Sequence, residues 1–272
     1  MKKKAVSALI LAVLLSFCMS ISGCEPVKIE DLPAIQKLRD IGTIRIAVAP
    51  GLPGFCWQNP ETGQLEGYEV DIARYISKAV FGDEKAAELV PMDAKLCGPK
   101  LETGEVDIVI AAFYDTQARR EKFEFSQPYF TDYMTLLVKR GPLTLFGQMS
   151  GKKIGFIAGN GTDELIKAEA GKYTDMAVET VPYGSYPEAK QALLEGKIDA
   201  LCSRWAVLRA YADIDTVFIS DRFAPQNYAI ACIKGDMDML NLMNAVLDEM
   251  KRNGLIDELI NKWDLIDTGK KE

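Results

Sequence analysis

Histidine does not occur anywhere in the 272 residues. Its absence excludes a nucleophilic triad built on imidazole, a histidine-ligated metal and general acid-base catalysis by histidine. Positive charge is also short: 32 lysines and arginines stand against 39 acids, for a net charge of −7. An acidic chain argues against nucleic acid as a partner and against a basic face docked on a membrane. Beyond the N-terminus there is no apolar run of the roughly 18 residues that a membrane-spanning helix needs. No Walker or dinucleotide glycine pattern is present either, and neither metal nor cofactor is expected.

The first 23 residues are not expected to belong to the fold. Lys2, Lys3 and Lys4 precede an apolar stretch from Ala5 to about Met19, and small residues lead to Cys24. That order of basic, apolar and cleavage regions marks a secretory signal. Ile21-Ser22-Gly23-Cys24 also resembles a lipobox, in which the cysteine is acylated with palmitate-type chains and becomes the first mature residue. An ordinary signal peptide with an incidental cysteine and an uncleaved anchor helix are the competing readings. Two acyl chains would hold a soluble domain on a membrane, outside the cytoplasm. Cleavage removes three lysines and no acid, moving the net charge from −7 to −10, and leaves 249 residues. That length suffices for one large or two modest domains.

Cys56, Cys97, Cys202 and Cys232 remain, an even number in a chain bound for an oxidising compartment. Three connectivities are open. Pairing Cys56 with Cys97 and Cys202 with Cys232 is preferred, as it keeps each bridge within one half of the architecture; free buried thiols are the alternative.

Residues 24–37 read as a tether leading into a short helix, and TIRIAVA as a strand that ends at Pro50 and Gly51. In GYEVDIARYISKAVFG, Val70, Ile72, Ala73, Ile76, Ala79 and Val80 fall on one helical face. A strand near Ala87–Pro91, a short helix near Pro99–Glu102 and the strand VDIVIAAF follow. A second block repeats this grammar through GKKIGFI, GTDELIKAEA, AVETVPY, YPEAKQALLEG, KIDALCS and RWAVLRAYA. The strand NYAIACI and two helices close the chain, with Gly254 where a helix C-cap is expected. Alternating strands and helices predict an α/β fold with mainly parallel sheets. Two such blocks predict two lobes with a cleft between them.

Four segments carry a resemblance to the extracellular solute-binding proteins (family 3) that serve polar amino-acid ABC importers: IGTIRIAVAPGLPGF, GQLEGYEVDIARYISKAV, GEVDIVIAAFYDTQARREKFEFSQPYF, and GKKIGFIAGNGT followed by EAKQALLEGKIDAL. The resemblance implies a type II periplasmic-binding-protein flytrap with two hinge strands. Lobe 1 would hold 38–132 plus 230–272, and lobe 2 would hold 133–229. It implies a monomer that closes around a small carboxylate ligand, an amino acid or derivative, and passes it to an importer permease. Catalysis is not implied, although some relatives are dehydratase-type enzymes of the same fold, and an extracellular ligand sensor is a third reading. An enzyme would need a cleft acid, for which Asp115 and Glu69 are the candidates.

The resemblance also implies the site. Thr116-Gln117-Ala118-Arg119 matches a turn whose arginine clamps the ligand α-carboxylate, and the chemistry stands by itself: a guanidinium offers two parallel donors that lysine cannot copy. Thr116 is placed as the N-cap that holds this turn, and Arg120 is expected on the surface. Ala112 and Tyr114 belong to the same strand exit, Tyr114 standing where relatives carry a small hydroxyl. Phe55 and Trp57 are expected as an aromatic wall, with closure of their own loop as the alternative. Gly161 and Thr162 are expected to offer lobe-2 N–H groups. Arg204 stands where relatives hold the ligand ammonium with an aspartate, and Cys97 near where acidic-amino-acid binders carry an arginine. Either Arg204 faces the cleft and selects a more anionic ligand, or it turns outward while Asp115 or Asp163 takes the ammonium.

Overall fold

The computed structural model describes residues 28–265 apart from residue 160. The signal segment, Cys24 and residues 266–272 lie outside the described residues.

A single 3-10 turn (Ile29–Asp31) and helix Pro33–Ile41 open the described chain. Strands β1 (Arg45–Val48), β4 (Glu88–Pro91) and β5 (Ile108–Val109) form a parallel group, and β2 (Trp57–Gln58) with β3 (Leu65–Glu66) forms a separate small hairpin. Next comes β6 (Phe123–Lys139), a strand of 17 residues. In the second block β7 (Lys153–Ile157) is flanked by β8 (Glu179–Tyr183) and β9 (Ala200–Arg204), both parallel to it. Strand β10 (Thr216–Phe218) lies antiparallel to the end of β6, and β11 (Phe223–Ile233) returns to the first block. Helices Met237–Arg252 and Leu255–Lys262 follow.

The sheet order β4-β1-β5-β11-β6-β9-β7-β8 makes two parallel α/β groups joined by β6 and β11, which pair antiparallel with each other. Strand β6 pairs β11 between Phe123 and Met134 and pairs β9 from Met134 to Val138. The molecule is thus the two-lobed flytrap, and these two strands are its crossovers.

Period-two alternation places each strand's apolar residues on both faces of the sheet. In the first lobe Ile108 and Ile110 join one core cluster while Val109 and Ala111 join the other. In the second lobe Leu136 and Val138 face one cluster and Leu137 the opposite one. Each fully buried aliphatic chain contributes about 1.5–3 kcal/mol. Gly67 fixes the start of helix Tyr68–Phe81. It sits at φ 135°, and a Cβ there would fall 2.2 Å from the Phe55 carbonyl oxygen.

Several expectations need correction. Residues 28–37 are no tether: Ile29, Ala34 and Ile35 are buried in the first lobe's core. The expected VDIVIAAF strand shrinks to two residues, because the backbone leaves extended geometry before Ala112, at φ 46°. Strand β6 continues through Pro128, which pairs with Ala229 beside a register shift in β11, where a missing N–H donor is tolerated. Gly254, at φ 74°, does mark the break between the last two helices.

The disulfide pairing is also overturned. Cys56, Cys97, Cys202 and Cys232 are all free and buried. Cys56 and Cys97 sit in different core clusters of the first lobe, and Cys202 belongs to the second lobe while Cys232 belongs to the first. Burial pushes the Cys56 thiol up to about 12 and Cys97 up to about 11, so neither supplies thiolate for exchange. Unfolding in denaturant without reductant should therefore let iodoacetamide alkylate all four. A mass spectrum in which any two stay unmodified until reduction would contradict the free-thiol structure.

Candidate functional site

The strand exit at residues 113–115 is laced to hinge strand β11. Ala229 donates its N–H to the Phe113 carbonyl (3.2 Å), Asp115 donates to the Asn227 carbonyl (3.2 Å), and Tyr114 bridges Tyr228. The chain then enters the single helical turn Gln117–Arg120, capped by Thr116, whose hydroxyl accepts from the Arg119 N–H at 3.3 Å. Both the cap and the turn are therefore as expected, and they set Arg119 beside the crossover.

The Arg119 guanidinium lies over this exit. Its carbon is 4.0 Å from the Phe113 ring centroid and 5.6 Å from that of Tyr114, and one N–H donates to the Tyr114 carbonyl at 3.1 Å. A guanidinium carries five donors, and no carboxylate among the described residues forms an ion pair with it. Burial draws its pKa below the ordinary arginine value, yet arginine stays charged. Arg120 behaves differently: it is exposed and forms a two-point ion pair with Asp115.

Arg204, at the end of β9 in the second lobe, reaches across to the same tyrosine, with its guanidinium carbon 4.5 Å from the Tyr114 centroid. Its Nε is buried without a hydrogen-bond partner, and no carboxylate among the described residues pairs with it. Burial lowers its pKa, opposed by the Tyr228 hydroxyl. The acids considered as ammonium acceptors are both engaged, Asp115 with Arg120 and Asp163 with Lys167 at 2.6 Å. The structure thus gathers Arg119, Tyr114 and Arg204, two cations of opposite lobes on one ring.

Ala112 spends its N–H on Glu69 Oε1 (2.6 Å). Phe55 is no wall. It is fully buried, with ring edges against Tyr68, Phe130 and Tyr228. Tyr68 and Glu69 donate their N–H groups to the carbonyls of Gly54 and Phe55, folding that loop onto its own helix beneath the site. Trp57 lies half-buried on β2 opposite Glu66 and stacks on no ring among the described residues. Gly161, at φ 73°, and buried Thr162 begin helix Thr162–Ala170 in the second lobe.

Two buried acids brace this region: Asp132, which the sequence pattern did not single out, and Glu69, expected only as a candidate proton-transfer acid. Asp132 accepts from the Tyr228 hydroxyl (2.5 Å), the Tyr133 N–H (2.8 Å) and the Ala206 N–H (3.3 Å), tying β6, β11 and the start of the helix after β9. Glu69 Oε1 accepts from Tyr129 as well as from Ala112; burial pushes its pKa up to about 7, with the Tyr129 and Ala112 hydrogen bonds opposing. The signal for Asp132 was its position on the same strand face as Phe130 and Met134, where an acid is unusual. A cavity of about 380 Å³ beside the hinge, lined by Pro128, Tyr133, Trp205 and Arg222, contains none of Arg119, Tyr114 and Arg204.

Comparison with known proteins follows this geometry. The family model described as bacterial extracellular solute-binding proteins, family 3, matches residues 44–265. The ABC transporter glutamine-binding protein GlnH of Bacillus subtilis (strain 168) is 31% identical over 264 residues, covering 95% of each chain. The L-cystine-binding protein TcyJ of Escherichia coli (strain K12) is 28% identical over 249 residues, 89% of this chain and 90% of that one. The crystal structure of an ancestral amino acid-binding protein, AncCDT-1, described as a precursor of cyclohexadienyl dehydratase, superposes with a TM-score of 0.66 at 27% identity, over 85% of this chain and 99% of that one.

Proposed function

The chain belongs to the bacterial extracellular solute-binding proteins, family 3, and on that premise we propose that it is the substrate-binding component of an ABC importer for an amino acid or related small carboxylate. The observation that carries this reading is Arg119: a guanidinium without an acid partner, fixed by a threonine cap at the crossover between two lobes. A ligand carboxylate would complete it with two parallel hydrogen bonds, and lobe closure would exclude water from the pair. Tyr114, the Ala112 carbonyl and the second-lobe turn at Gly161 and Thr162 supply further polar contacts. We take residues 28–132 with 230–272 as the first lobe, its start moved from 38 by the burial of Ile29 and Ile35, and 133–229 as the second. Both lobes come from one chain, so a monomer suffices to bind and to present the closed form to a permease.

Binding without chemistry fits the acids present. A dehydratase needs a cleft acid free to move a proton, whereas Glu69 is fully buried between Tyr129 and Ala112 and Asp115 is paired with Arg120. A thermal-shift screen across amino acids, dicarboxylates and short peptides tests the reading. Ligand at a hundred times its Kd adds about 2.7 kcal/mol, a shift of roughly 5–10 °C for a protein of this size. No shift with any carboxylate would overturn it.

Residues 1–23 would direct export and Cys24 would carry the lipid. Cells fed a labelled fatty acid should label the wild-type protein and fail to label Cys24→Ser; label that persists in the variant would remove the anchor from Cys24.

A further inference from the structure

The pairing of Arg119 and Arg204 on Tyr114 narrows the ligand class, an inference that rests on the importer reading above. We infer that the cleft takes a small dicarboxylate without a free ammonium group, one carboxylate on Arg119 and the other on Arg204.

Three observations carry this. First, each guanidinium lies over the same ring, at 5.6 and 4.5 Å from its centroid, so their carbons are at most about 10 Å apart. Second, neither is neutralised. Arg119 makes one hydrogen bond, to a carbonyl, and Arg204 Nε is buried with no partner. Two unpaired cations at one partly buried point are costly unless an anion compensates them. Third, the acids nearest this region are engaged elsewhere: Asp115 on Arg120, Glu69 on Tyr129 and the Ala112 N–H, Asp132 on Tyr228 and two backbone N–H groups. A ligand ammonium would meet the Ala112 carbonyl at best, with two guanidiniums repelling it.

The chemistry follows from these positions. The cations belong to opposite lobes, so two anionic groups joined by a short carbon chain would draw the lobes together. A single tetrahedral anion also accepts two parallel bonds from a guanidinium, but it has no carbon chain to set one anionic group on each lobe, so inorganic phosphate serves as the control below. Removing an ammonium from the ligand removes a like-charge interaction at close range, worth roughly tenfold or more in affinity.

Glutarate, L-glutamate and L-glutamine share a five-carbon skeleton and separate the two requirements. Titration calorimetry of the wild-type protein should rank glutarate at least about tenfold tighter than L-glutamate, with L-glutamine weakest. Arg204→Gln should weaken glutarate at least about tenfold, and Arg204→Asp should reverse the order of glutarate and L-glutamine. L-glutamine binding as tightly as glutarate, or glutarate affinity unchanged in Arg204→Gln, would reduce Arg204 to a stacking partner of Tyr114; the importer reading would stand. Inorganic phosphate bound in preference to glutarate, or no binding of glutarate at all, would also overturn the dicarboxylate assignment. If both variants fail to fold, the wild-type ranking decides alone. Loss of the importer reading is a different outcome, seen as no carboxylate in the wider screen raising the melting temperature.

Discussion

Arg119→Lys should raise the Kd for the carboxylate ligand roughly 30- to 1,000-fold, a loss of about 2–4 kcal/mol. Lysine keeps the charge, but not the planar fork that gives two parallel bonds to one carboxylate, nor the guanidinium contact over the Phe113 ring at 4.0 Å. The same change should leave the ligand-free protein nearly as stable as the wild type, because Arg119 makes a single side-chain hydrogen bond, to the Tyr114 carbonyl. Calorimetric titration beside a thermal melt separates the two effects. Undiminished affinity in a folded variant would mean that the ligand carboxylate sits elsewhere.

Glu69 should produce the largest change in stability. Glu69→Ala strands the Tyr129 hydroxyl and the Ala112 N–H in the first lobe. At about 1–3 kcal/mol for each buried group left without a partner, the loss is about 2–6 kcal/mol, or roughly 5–20 °C in Tm. Ala112, held at φ 46° by this bond, would lose its fixed position in the site at the same time. The pH dependence has a definite sign. Burial raises the Glu69 pKa from 4.5 to about 7, so between those values the native state holds a proton that the unfolded state has released. Stability should therefore fall as pH rises through this window, by about 1.4 kcal/mol per pH unit at the steepest. Glu69→Gln keeps an acceptor oxygen without a titrating group and should lack that part of the slope. Asp132 is also raised by burial, but it is present in both proteins and cancels in the comparison. Urea unfolding at pH 5 and pH 8 measures it; an identical pH slope in the two proteins would place the titration outside Glu69.

What the chain discloses before folding is local. The Thr116 cap and the turn it starts span five residues, so their geometry is written in consecutive side chains. The helix Tyr68–Phe81 announces itself by spacing in the same way. The crossovers are less visible: Ser126, Gln127 and Pro128 interrupt the apolar alternation of β6, and only pairing with β11 carries the strand through them. Phe55 and Trp57, two residues apart, look equivalent as a sequence, yet the close approach at Gly67 sinks one into the core and leaves the other on a hairpin. Free cysteines follow from their placement on different faces and in different lobes, which a count of thiols does not reveal. Arg204 and Tyr114 are 90 residues apart, and nothing short of the folded sheet brings the second cation onto the same ring.

A crystal structure of the complex with the strongest carboxylate from the screen tests the central claim most directly. The account predicts one carboxylate between the lobes, both oxygens about 2.7–2.9 Å from Arg119 nitrogens, with Tyr114 alongside. Ligand seated instead in the hinge cavity lined by Pro128, Tyr133 and Trp205, with Arg119 still uncompensated, would contradict it.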